Sequence, residues 1–158
     1  MKLAEALVLR ADLQKRIAQL RVRLQQSALV QEGEQPPENP QELLAELARL
    51  IAELTTLITQ INRTNVSAQT ATGMTLTDAL ARRDALALHY SVLESLADRA
   101  GDRVNRYSRT EILAVPTVDV AALRRQLDSL AQQRRELDTA LQAANWAVEL
   151  QEEGTPNG

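Results

Sequence analysis

The sequence predicts an all-α protein, an elongated four-helix bundle with coiled-coil-like packing. Three observations carry this expectation. Four long segments repeat apolar residues at alternating steps of three and four, which stacks them on one face of a helix. Helix-breaking residues gather between those segments, as in Glu34-Gln35-Pro36-Pro37-Glu38-Asn39-Pro40. The 158 residues are 44% hydrophobic with no cysteine, enough apolar surface for one core without disulfide help.

The first segment, about 3–30, carries Leu3, Ala6, Arg10, Leu13, Ile17, Leu20 and Leu24 on one stripe. The second, about 41–62, places Leu43, Leu47, Leu50, Leu54, Leu57 and Ile61 on a seam with Leu44, Ile51 and Ile58 beside it. That stripe fills three heptad positions, so this helix is expected to touch several neighbours. The third segment, about 76–100, opens with the capping pattern Thr75-x-x-Asp78 and stops near Gly101. Its main face reads Ala79, Leu86, Leu93 and Leu96. The fourth, about 119–150, follows Pro116 with Asp119 as N-cap and repeats Leu123, Leu127, Leu130, Arg134, Leu137, Leu141, Ala144 and Val148. One domain over 1–150 with a disordered tail at 151–158 is expected. The connections 63–75 and 101–118 are long for a bundle, and Glu111–Val115 leaves a short strand or hairpin open.

Helix length gives a further expectation. At about 1.5 Å per residue the fourth helix would run ~48 Å and the second only ~33 Å, so the fourth should overhang. Its overhanging end carries Trp146 and Leu150, which with Thr139 and Ala143 form a second apolar patch. Such a patch predicts an oligomer interface, with packing against the 63–75 connection as the alternative.

Eighteen basic and 21 acidic residues leave a net charge of −3, without the basic face that nucleic acid requires. No apolar run approaches the ~18 residues that span a bilayer, and Glu5 and Arg10 interrupt any export signal. No nucleic-acid partner and no stable membrane insertion are expected, and the location is read as cytoplasmic. Without cysteine, and with one histidine lacking a Glu-x-x-His partner, neither metal nor cofactor is expected.

Two polar groups are candidate sites. Asp78, Arg82 and His89 share a helical phase near the apolar face. With Arg63 and Asn65 from the end of the second helix they form a candidate ligand pocket. A structural network of Asp78, Arg82 and His89, buried and paired, is the favoured alternative, with C-terminal capping for Arg63 and Asn65. Arg103, Arg106, Tyr107 and Arg109 form a basic tip able to hold an anion, or to pair with Glu32, Glu34, Glu38 and Glu42. No catalytic residue is assigned, because nothing marks an activated nucleophile.

A family resemblance runs through nearly the whole chain. It is carried by Lys2-Leu3-Ala4-Glu5-Ala6-Leu7, Ile61-Asn62-Arg63-Thr64-Asn65, Thr75-Leu76-Thr77-Asp78-Ala79-Leu80, Tyr107-Ser108-Arg109, Thr117-Val118-Asp119-Val120 and Asn145-Trp146. The chain resembles a group of small bacterial helical proteins of unassigned function, often called septicolysin. The resemblance implies a bacterial, mainly helical protein, and the group's name implies a pore-forming cytolysin.

The residues themselves rank three functions. A self-associating structural or interaction protein without catalytic activity comes first, as a homo-oligomer with a further protein partner left open. A ligand-binding protein or hydrolase acting on an anionic, phosphorylated small molecule is the alternative. The cytolysin ranks third, because the amphipathic faces carry mixed charge rather than a Lys/Arg-rich face.

Overall fold

The computed structural model describes residues 1–102 and 114–152. Within them the chain forms four helices: α1 (Leu3–Gln26), α2 (Pro40–Ser67), α3 (Leu76–Gly101) and α4 (Val120–Ala147). The all-α, helical-bundle class that the periodicity predicts is what the chain adopts. Two compact units divide it: Met1–Gln69 together with the chain from Ala144, and Thr70–Ala143.

The helix starts follow their local chemistry. Asn39 accepts a hydrogen bond from the Gln41 N–H at 3.0 Å, and Pro40 occupies the first turn, where its missing donor costs nothing. Thr75 accepts from the Asp78 N–H at 3.1 Å and Asp119 from the Ala122 N–H at 3.0 Å. At α1 the Glu5 carboxylate accepts from the Lys2 N–H at 2.7 Å, half of a capping box.

The ends depart from expectation. α1 stops at Gln26, four residues short, where the Ser27 N–H bonds to the Arg23 and Leu24 carbonyls and Leu29 is left exposed. α2 runs five residues further than predicted. The Thr64 hydroxyl donates to the Gln60 carbonyl at 2.8 Å and Ser67 to Arg63 at 3.2 Å, which seats these polar groups inside the helix. α4 stops at Ala147, so α2 and α4 both have 28 residues and both span about 42 Å. The expected overhang of the fourth helix is therefore corrected: the two helices are equal in length.

That equality accompanies a recurring residue pattern, which we read as an internal duplication of α1 and α2 in α3 and α4. With Leu3 laid on Leu76, the start of α1 on the start of α3, Met1, Ala6, Leu7 and Arg10 recur as Met74, Ala79, Leu80 and Arg83. With Pro40 laid on Val120, the start of α2 on the start of α4, Leu43, Leu47, Leu50, Leu57 and Asn65 recur as Leu123, Leu127, Leu130, Leu137 and Asn145. Burial repeats too: Leu3 and Leu76, Ala6 and Ala79, Leu50 and Leu130, and Ile61 and Leu141 are all buried.

In the first unit α1 packs on α2, with Leu13, Leu20, Leu43, Leu50 and Leu57 buried. In the second, Arg124 of α4 donates to Asp98 of α3 at 2.9 Å. The tight turn Thr70–Met74 closes on two bonds, Thr70 N–H to the Met74 carbonyl at 2.8 Å and Gly73 N–H to Thr70 at 2.9 Å. Gly73 there has φ +82°, a conformation that disfavours any residue with a Cβ.

Candidate functional site

The helix ends within the first unit make the most elaborate polar arrangement among the described residues. After Ala147 the chain leaves the helix and Glu149 pairs antiparallel with Lys2. The Leu3 N–H donates to the Val148 carbonyl at 3.0 Å and the Leu150 N–H to Met1 at 2.8 Å. In the two alignments of the duplication, Leu150 and Met1 correspond to Thr70 and Met74, which make the same 2.8 Å bond. The duplication thus reuses one closure, once inside a turn and once between segments far apart in the chain.

Charges reinforce it. Lys2 Nζ lies 2.6 Å from Glu149 Oε1 and donates to the Ala147 carbonyl at 3.1 Å, while the Met1 ammonium lies 3.3 Å from Glu149 Oε2. Hydrogen bonds from Lys2 and then from the Met1 ammonium hold the Glu149 carboxyl below its ordinary range. The next residue but one, Gln151, ties the segment to α2: its N–H donates to Thr64 Oγ1 at 3.0 Å and its side-chain amide to Ser67 Oγ at 2.7 Å. Thr64 is fully buried, so its hydroxyl, donating to Gln60 and accepting from Gln151, is satisfied in both directions.

One large side chain stands outside this order. Trp146, in the last turn of α4, is 61% exposed. Its counterpart on α2, Val66, is 66% exposed, and Met1 is 51% exposed. All three belong to the first unit. Thr139 and Ala143, spaced seven and three residues before Trp146 on α4, are exposed. Leu150 corrects the prediction: it is only 8% exposed. Helical phase puts it beside Trp146, but the helix ends at Ala147 and phase has no meaning beyond that residue.

The other predicted residues fall as follows. Arg63 is exposed and Asn65 half-buried, both in the first unit; Asp78, Arg82 and His89 are exposed, all in the second. The buried network expected of the last three is corrected, since none of them is inside. The inward stripe of α3 runs through Ala79, Leu86, Tyr90, Leu93 and Ala97, and Leu96 is 40% exposed. That stripe turns away from the phase of His89. Arg103, Arg106, Tyr107 and Arg109 lie outside the described residues, as does most of the Glu111–Val115 stretch. Glu38 of the expected acidic partners instead meets Arg23 of α1, whose Nε donates to it at 2.9 Å. That bond lowers the Glu38 carboxyl and raises the Arg23 guanidinium.

Among the described residues no group of three or more His, Asp or Glu side chains is placed to hold a metal ion, and no helix is long and apolar enough to cross a membrane. Sequence reasoning missed the closure around Lys2 and Glu149. Its signal was the repeated Met-x-Leu-x-Glu/Asp-Ala-Leu at residues 1–7 and 74–80, whose second copy follows a tight turn.

The fold and these features define an all-α helical-bundle protein with four helices among the described residues. The chain belongs to a family of unknown function (DUF6847), whose model matches residues 10–150. It is similar to a solved structure described as a functionally unknown conserved protein from Corynebacterium diphtheriae. The two share 45% sequence identity, with 96% of this chain and 99% of that chain covered and a TM-score of 0.89. Comparison with curated proteins gives no match.

Proposed function

We propose that this chain acts by self-association, as a non-catalytic structural or interaction protein, with Trp146 at the centre of the contact between copies. The observation that carries the reading is the 61% exposure of the chain's one tryptophan on a helix end anchored by Lys2, Glu149 and Gln151. An aromatic anchor already held in place loses little conformational freedom when a partner covers it.

The magnitude sets what to expect. A tryptophan of roughly 250 Å² that is 61% exposed offers about 150 Å², worth ~4 kcal/mol when covered. One pair of such residues, ~8 kcal/mol together, falls inside the ~4–15 kcal/mol cost of bringing two chains together and leaves little surplus. Val66 and Met1, exposed in the same unit, supply further apolar area. The assembly should therefore be concentration-dependent.

Native mass spectrometry and sedimentation of the full chain test this over a micromolar concentration series. The single tryptophan adds an internal probe, since its emission should shift to the blue as copies associate. Trp146→Ala and Trp146→Arg should lower the assembly state while leaving the helical signal intact. A wild-type monomer at every concentration, or an unchanged mass in both variants, would overturn the reading.

A further inference from the structure

The duplication exposes one place where the two hairpins differ in kind. Tyr90 on α3 and Ala131, Arg134, Arg135 and Asp138 on α4 line a cavity of about 390 Å³ within the second unit. In the alignments that lay Leu3 on Leu76 and Pro40 on Val120, the matching positions in the first hairpin are Ile17, Ile51, Leu54, Thr55 and Ile58. An almost wholly apolar set has become a polar one. Ile51, itself 45% exposed, gives way to Ala131, a smaller side chain. Leu54, on the leucine seam of α2, gives way to Arg134.

Holding the helices together does not account for this set. Charged groups gain little from a half-exposed position beyond what isoleucine and leucine would supply by burial. The one ion pair across the set, Arg134 Nε to Asp138 Oδ2, stands at 4.0 Å, so Asp138 does not hold the guanidinium tightly. Among the described residues Arg135 makes no ion pair; its backbone carbonyl accepts from Thr139. Two arginines therefore line a cavity whose other lining residues are Tyr90, Ala131 and Asp138.

We propose that this cavity is a binding site for a small organic monoanion, a carboxylate with an apolar or aromatic body. The carboxylate is held by Arg134 and Arg135 through charge-assisted hydrogen bonds, and the body lies against Tyr90 and Ala131. Two arginines and one aspartate leave the lining with a single net positive charge, which neutralises one negative charge and leaves a second uncompensated. The volume lies at the lower end of the range of small-ligand clefts. This site shares no residue with the Trp146 contact, so either can fail alone.

The test uses the full-length protein, labelled for NMR, with benzoate as probe and benzamide, phenyl phosphate and inorganic phosphate as comparators. Benzoate should give saturable shifts at Tyr90 and Ala131, and benzamide, which lacks the charge, should not. Arg134→Leu restores the residue that the first hairpin carries at this level and should fold normally while weakening benzoate about tenfold or more. Arg135→Gln should weaken it similarly. Absence of saturable shifts at tens of millimolar benzoate would overturn the proposal, as would equal binding of benzamide or unchanged binding by Arg134→Leu. Phenyl phosphate or inorganic phosphate binding more tightly than benzoate would overturn the assignment to a monoanion.

Discussion

Replacing Leu150 with alanine separates the place that helical phase gives this residue from the place it occupies. Phase puts it on an exposed patch, where truncation would change folding stability by less than ~0.5 kcal/mol. The fold leaves it 8% exposed, with its N–H bonded to the Met1 carbonyl and the next residue bonded to Thr64. Burying a leucine almost completely and then deleting most of its side chain costs ~2–5 kcal/mol in transfer and cavity terms. Leu150 keeps 8% of its surface exposed, so a value in the lower half of that range, about 3 kcal/mol, is expected. For a chain of 158 residues that corresponds to a fall in Tm of roughly 6–12 °C. Urea denaturation followed by circular dichroism measures it, at concentrations low enough to suppress association. Trp146→Ala is the control and should stay within ~0.5 kcal/mol of wild type under those conditions. A Leu150→Ala variant as stable as that control would refute the burial argument.

Two further outcomes follow from the same closure. Glu149 has its carboxyl held below the ordinary value of 4.5 by Lys2 and the Met1 ammonium. The stabilisation it contributes is therefore fully present above about pH 4.5 and is lost as pH falls through the depressed folded value. The stability gap between wild type and Glu149→Gln, read from urea melts, should be constant near neutrality and close in acid; a gap that persists unchanged at low pH would contradict this. Because Leu150 and Met1 repeat the bond between Thr70 and Met74, the residues Ala71-Thr72-Gly73 should also serve as a linker from Leu150 to Met1. A circular permutant joined in that way and opened between Thr70 and Met74 should retain the wild-type helical signal and cooperative melting, whereas loss of either would show that the two closures are not equivalent.

Particular residues show how far the fold and the site can be read from sequence. The capping roles of Thr75 and Asp119 are legible because a cap is a bond between residues two or three apart. The core leucines of α1 and α2 are legible because period and burial agree over several turns. His89 is misplaced by periodicity because the inward face of α3 includes Tyr90 and Ala97, amphipathic or small residues that hydrophobic patterning weighs lightly, while Leu96 is 40% exposed. Trp146 is expected on the surface and is there, while the same phase carries Leu150 past the end of its helix. The cavity beside Tyr90 shows in the sequence only as a polar interruption, Arg134 on a leucine stripe.

Forces between near neighbours settle four amphipathic helices, their starts, the breaks between them and the all-α class, and all of these stand in the sequence. Packing in three dimensions settles where α2 and α4 stop, which flank of α3 faces inward, and that Lys2 and Glu149, far apart in the chain, close on each other. Local periodicity carries no record of pairings at that separation. Tertiary packing brings Lys2 and Glu149 together, and the likeness of the Leu150–Met1 and Thr70–Met74 bonds shows only when the two repeats are laid side by side.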